Sequence, residues 1–296
     1  MSASIPAGAP IGQSTRGELP ILRLSGHAST LEITPHGAQV LGWQPDGARP
    51  VLFLSPRSSF VSGKAIRGGI PLIFPWFGPK AAEPGAPAHG FARVRSWTLE
   101  AARVEPGGEI FVALSLSDDE RTHQSWPHAF AARLTVRAGK RLEIVWNIRN
   151  TGNSRCTFEA ALHTYFAVSD VRGIAVQGLA AREYFERYGP PGRRPDDASA
   201  VQFPGEVDRL YLNTPEACTI VDPAWKRRIL IEKSGSRSTV VWNPGEAKGA
   251  ALGDLGSPAW KDFVCVETAN VGDDAVTLAP GAAHDLAATI SLLGES

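Results

Sequence analysis

Along most of the chain, apolar and polar positions alternate with a period of two. Ile110, Val112, Leu114 and Leu116 form one such run, and Leu142, Ile144, Trp146 and Ile148 a second. Leu286, Ala288, Ile290 and Leu292 form a third. Successive side chains of a strand point to opposite faces, so each run predicts a strand with one apolar stripe. Turn chemistry separates the runs. Pro45-Asp46-Gly47, Glu105-Pro106-Gly107-Gly108, Ala138-Gly139-Lys140 and Ala279-Pro280-Gly281 each sit between strand-like stretches. No long segment of helical period competes with this pattern, and thirty glycines and twenty-three prolines would break helices. The expectation is an all-β protein, one large antiparallel β-sandwich in a single domain.

The first eighteen residues are small, polar and rich in Pro and Gly, and read as a flexible N-terminal arm. Residues 19–296 form the expected domain. No internal repeat or interior linker is visible, and residues 189–195 (GPPGRRP) read as a long loop.

Composition narrows the function. An apolar content of 43% supports a substantial core. Thirty basic and thirty acidic residues cancel, which disfavours a nucleic-acid partner but allows a local basic pocket. Cys156, Cys218 and Cys265 are odd in number and widely spaced. They suggest neither a disulfide framework nor a zinc site, and free thiols fit a reducing compartment. With no secretory signal and no long apolar stretch, a cytoplasmic protein without membrane partners is expected.

Four segments depart from strand grammar. Residues 66–79 (IRGGIPLIFPWFGP) fix an irregular backbone; Gly68 and Gly69 could let a ligand approach the main chain, and Trp76 and Phe77 could offer an apolar wall. In residues 88–93 (AHGFAR), His89 and Arg93 bracket small residues. His163 is the one charge-capable side chain of an apolar run (AALHTYF), and must find a partner or face a cavity. Glu267 follows four strand formers (FVCVETAN), a costly place for a carboxylate that is neither paired nor functional. Each residue singly could be structural: a satisfied core histidine or a buried ion pair. Together they supply a base, an acid and cations. Glycine-rich phosphate loops and nucleophile elbows are absent.

In order, IRGGIPLIFPWFG, HGFAR, LHTYF, EVDRLYLN, VVWNPG and CVETAN resemble the aldose 1-epimerase family, and more closely its branch acting on hexose 6-phosphates. The resemblance spans about residues 20–294. It implies a large antiparallel supersandwich that interconverts the α and β anomers of a hexose 6-phosphate without cofactor or metal. It implies His163 as general acid and Glu267 as general base. Arg67 and Arg93 are implied as ligands of the phosphate and Asp208 as a ligand of sugar hydroxyls; His89 and Trp242 match pocket positions. Some relatives carry Gln where this chain has Ala88. The expected partner is a small-molecule sugar phosphate, and the expected state a monomer or weak dimer. The alternatives are a mutarotase for unphosphorylated aldoses, a non-catalytic carbohydrate-binding protein, and a glycoside hydrolase or lyase relative. A hydrolase usually needs two acidic side chains across the bond, and only Glu267 has such a setting.

Overall fold

A computed structural model of the chain describes residues 11–80, 83–186, 192–195 and 199–294. Strands dominate, and every pairing between named strands is antiparallel. One eight-stranded sheet runs in the order Ala175–Gln177, Cys218–Asp222, Arg227–Ser234, Ala283–Leu293, Arg141–Asn150, Phe130–Ala138, Ile110–Ser117 and Thr98–Val104. A second contains, in order, Arg193–Pro195, Glu183–Glu186, Val207–Leu212, Ser238–Asn243, Phe263–Asn270, Ala160–Leu162 and Leu72–Ile73, with Tyr165–Ala167 also paired to Phe263–Asn270. A four-stranded sheet formed by the N-terminal strands, and the small pair Cys156–Phe158 with Val276–Leu278, complete the set.

The period-two runs fold as their pattern dictates. Leu142, Ile144, Trp146 and Ile148 are all buried, as are Leu286, Ala288 and Ile290 on the neighbouring strand. One continuous apolar cluster joins residues of all the sheets. Phe74 is fully buried within it, with Phe91, Trp126, Phe130, Trp146 and Phe158 around it at centroid distances of 5.1–5.9 Å. Such edge-on ring pairs stabilise beyond their area burial.

Two expectations need correction. Ile11–Arg16 is not part of a flexible arm; it is an edge strand paired with residues 19–24, while residues 1–10 lie outside the described residues. Its alternation is hidden because five of its six residues are exposed, so backbone hydrogen bonds hold it rather than an apolar stripe. Arg193–Pro195 is likewise a short edge strand rather than loop, with residues 189–191 outside the described part.

Helices are few and short among the described residues. Glu120–Ser125 starts with a reciprocal capping box between Asp119 and Thr122, and Gly245–Ala251 follows the Ser238–Asn243 strand. No helix among the described residues is long and apolar enough to cross a membrane.

Candidate active site

Strand register builds the floor of the site. Phe263–Asn270 is buried at all eight positions and lies centrally in its sheet. On one side of it, Ala160–Leu162 and Tyr165–Ala167 are two short strands separated by His163 and Thr164. Leu162 stands opposite Thr268, and Tyr165 opposite Cys265. The same register continued across the break puts His163 opposite Glu267. On the other side Val240 faces Glu267, and Leu210 faces Val240. Directly opposed residues share a face, and so do residues two apart along a strand. A second row on that face therefore comprises Asp208, Trp242, Cys265 and Tyr165.

The register brings the two groups expected as acid and base into contact. His163 Nε2 lies 3.2 Å from Glu267 Oε1, with both side chains almost fully buried. His163 is held in place on several sides. Its backbone N–H donates to Pro71 O at 3.0 Å. Its ring stacks on Tyr165 at 5.0 Å and 15°, and meets Trp242 and His89 nearly edge-on at 5.9 and 5.7 Å.

Loops supply the walls. Arg67 is fixed by Asp254, whose Oδ2 lies 3.1 Å from both Nε and Nη2, while Nη1 donates to the Tyr165 hydroxyl at 3.0 Å. Gly68 and Gly69 have positive φ. A Cβ there would stand 2.5 Å from Phe53 O and 2.2 Å from Val40 O. These glycines serve close packing of backbone on backbone, not the ligand approach expected from the sequence. His89 has φ +64°, an uncommon value for a residue with a Cβ. Its N–H donates to Gly78 O at 2.7 Å, and its Nδ1 accepts from Gly78 N–H at 3.3 Å. Arg93 donates from Nη2 to Ala88 O at 2.8 Å. It has no carboxylate within ion-pair distance among the described residues, and its Nε is buried without a hydrogen-bond partner.

These residues enclose one cavity of about 280 Å³, lined by Arg67, His89, Arg93, His163, Asp208, Trp242 and Glu267 together with Phe77, Ala88, Val240 and Lys248. That volume is near the small end of ligand pockets, about 300–1,000 Å³. All seven residues singled out from the sequence thus meet in one place. Trp76 does not line it; its indole N–H donates to Pro87 O and its ring packs against Phe91. Lys248 carries no sequence signal. It reaches the cavity from the Gly245–Ala251 helix and pairs with Glu206 at 2.5 Å.

Burial and charge set the protonation of the walls. Burial works against the charge of Arg67, but Tyr165 and Asp254 outweigh it and hold its pKa above the ordinary value. Arg93 is lowered to about 10, by burial first and by Arg67 in part, and remains cationic at neutral pH. Burial, followed by His89, Arg93 and Arg67, holds His163 well below the usual imidazole range. The imidazole is therefore neutral at neutral pH. The groups expected as acid and base stand side by side on one sheet face. Tyr165 is raised by burial and stays a neutral phenol. Among the described residues no group of three or more His, Cys, Asp or Glu is arranged to hold a metal ion.

The aldose 1-epimerase family model matches residues 20–291. One similar curated protein, from Escherichia coli K12, is 39% identical over 233 residues, covering 79% of this chain and 77% of its own length. Another, from Cenchrus ciliaris, is 37% identical over 258 residues, covering 84% of this chain and 77% of its own length. Both bear the name "Putative glucose-6-phosphate 1-epimerase". A crystal structure of "a putative mutarotase (YeaD)" from Salmonella typhimurium superposes with a TM-score of 0.91 at 30% identity, covering 98% of this chain and 96% of that one. With a match across nearly the whole chain, and with the period-two strands and the cavity in place, the protein belongs to the aldose 1-epimerase family.

Proposed function

We propose that the protein is a glucose-6-phosphate 1-epimerase, interconverting the α and β anomers of hexose 6-phosphates. The observation that carries this reading is the 3.2 Å approach of His163 to Glu267 in a cavity that also holds Arg67 and Arg93. The names of the two curated relatives support the choice of substrate.

Anomer exchange needs one base and one acid at a single carbon. Glu267 takes the proton of the C1 hydroxyl while His163, protonated in the substrate complex, delivers one to the ring oxygen. The C1–O5 bond breaks, and an open aldehyde forms. Rotation about C1–C2 presents the other face, and closure returns both protons. The hydroxyl and ring oxygens share C1, so a base and an acid in mutual contact can reach both. Asp208 accepts from sugar hydroxyls, and Phe77 and Trp242 provide apolar wall. The arginine forks suit the phosphate oxygens, which they can hold by charge-assisted pairs away from C1.

The test starts from pure α-glucose 6-phosphate and follows its equilibration by polarimetry or by NMR saturation transfer. Wild-type protein is expected to speed exchange. His163→Ala and Glu267→Gln should each remove about 10²–10⁴-fold of the gain, the usual contribution of a positioned proton-transfer group. Rates equal to buffer would refute the enzyme reading, and a higher kcat/KM for galactose would reassign the substrate to an unphosphorylated aldose.

A further inference from the structure

The pocket has two halves that are chemically separate but mechanically joined. One half is the acid–base pair of His163 and Glu267. The other is the arginine pair, and its two members are unlike. Arg67 is neutralised locally by Asp254. Arg93 has no carboxylate of its own among the described residues, and a buried Nε with nothing to donate to. Glu267 and Asp254 act on Arg93 only from beyond ion-pair distance, which leaves a partly buried cation that an anionic ligand can pair with directly. Tyr165 joins the halves: its hydroxyl accepts from Arg67, and its ring lies flat against His163.

We propose that a dianion seated at Arg67 and Arg93 activates the His163–Glu267 pair, so that a separate inorganic dianion switches on mutarotation of an unphosphorylated aldohexose in this pocket. This rests on the reading of the protein as a hexose-6-phosphate mutarotase. It adds that the phosphate is an activator as well as an anchor.

The reason is electrostatic. His163 is the candidate acid, yet burial and the neighbouring cations keep it neutral. Every charged or titratable group facing it bears on that balance. From the loops come Arg67 and His89, from the 3-10 turn Ala92–Val94 comes Arg93, and from the short helix Lys248. From the neighbouring strands come Glu267, Cys265 and Asp208, and from its own segment Tyr165. After desolvation, the groups that oppose its protonation are His89, Arg93 and Arg67. A dianion between the two arginines offsets two of these three. The imidazolium is then favoured when substrate phosphate is present, and disfavoured when it is not. The acid is armed by the distal end of its own substrate, which is how binding energy remote from the reacting carbon can raise kcat rather than only lower KM. No bond to the dianion forms or breaks.

The experiment delivers the substrate in two pieces. Anomer exchange of free glucose is measured by NMR saturation transfer with wild-type protein at pH 7, over a series of phosphite concentrations. Matched chloride controls ionic strength, and the protein-free rate at each phosphite concentration is subtracted. The protein-dependent rate is expected to rise about tenfold or more at saturation, since raising the imidazole pKa by about one changes its protonated fraction tenfold. In parallel, the His163 imidazole signals, assigned by comparison with His163→Gln, should titrate at higher pH when phosphite is bound. Phosphite that competes with glucose 6-phosphate but leaves glucose exchange flat would overturn the proposal. So would phosphite that fails to compete at all, or activation without movement of the His163 titration. In each of these cases, glucose 6-phosphate still equilibrating would leave the proposed function standing. Loss of that activity itself would refute the function instead.

Discussion

Asp254 Oδ2 stands 3.1 Å from both Nε and Nη2 of Arg67, so that one carboxylate oxygen orients a guanidinium while its third nitrogen, Nη1, is turned to Tyr165. The two residues come from loops 187 positions apart in the chain. Asp254→Ala frees the side chain, and ordering it again on phosphate costs about 0.5–1.5 kcal/mol. KM for glucose 6-phosphate should rise roughly 3- to 10-fold, with kcat changed less, in exchange rates measured across substrate concentration. A fall in KM would instead mean that Asp254 mainly competes with the phosphate.

The buried imidazole has a signature in stability. Its folded pKa lies below the unfolded value, so between the two the unfolded chain binds the extra proton. Stability is unaffected by this group above about pH 6.5 and falls as pH drops below it. Urea denaturation at pH 7.5, 6.0 and 5.0 should show a steeper loss in wild type than in His163→Gln. Parallel curves would mean that the imidazole gains its proton readily in the folded state.

Gly90 sits at φ +74°, and a Cβ there would stand 1.9 Å from Phe74 O. That carbonyl already accepts from the N–H groups of Phe91 and Ala92. Gly90→Ala must push the His89–Arg93 wall outward against the aromatic cluster. A loss of at least about 1–3 kcal/mol in chemical denaturation is expected from the backbone strain alone, together with reduced exchange activity in the fraction that folds. Unchanged stability would mean that this wall shifts without cost.

Lys233 is a partly buried amine outside the cavity, donating to Ser238 O at 2.9 Å and to Thr239 Oγ1 at 2.7 Å. Burial lowers it to about 8, against the partial opposition of Cys218, Asp274 and Glu216. Here too the folded value is below the unfolded one. The penalty is fully present below pH 8 and is relieved as pH rises towards the unfolded value of about 10.4. Wild type should therefore gain on the order of 1–3 kcal/mol relative to Lys233→Met between pH 7.5 and 10. A constant difference between the two would place the amine in an environment as polar as water.

The alternating runs made the sheets legible, because burying one face leaves a period-two trace in the residues themselves. Edge strands left no trace: Ile11–Arg16 and Arg193–Pro195 are held by backbone bonds that any side chain permits. The seven site residues stood out as polar groups in apolar or irregular settings and through their family motifs. What converged on them from elsewhere did not. Lys248 lies on an unremarked seven-residue helix, and Asp254 acts only through Arg67. Tyr165 reads as a core aromatic until its hydroxyl is seen to accept from a cation. Trp76 and Phe77 are adjacent, so which one faces the cavity is decided by a backbone path that composition does not encode. Glu159 helps to set that path by accepting from the Phe77 and Gly272 N–H groups at 2.8 Å.

Because Phe263–Asn270 has no solvent-facing residue, the carboxylate of Glu267 rides on a beam paired along both edges. Its amide hydrogens should be among the last in the molecule to exchange. Adaptation to a sugar in either anomeric form then falls to the rim, where His89 lies in a loop and Arg93 on the single 3-10 turn Ala92–Val94. The centre is thus divided into a stationary anvil and an adjustable jaw, and selection for a new sugar would act on the jaw.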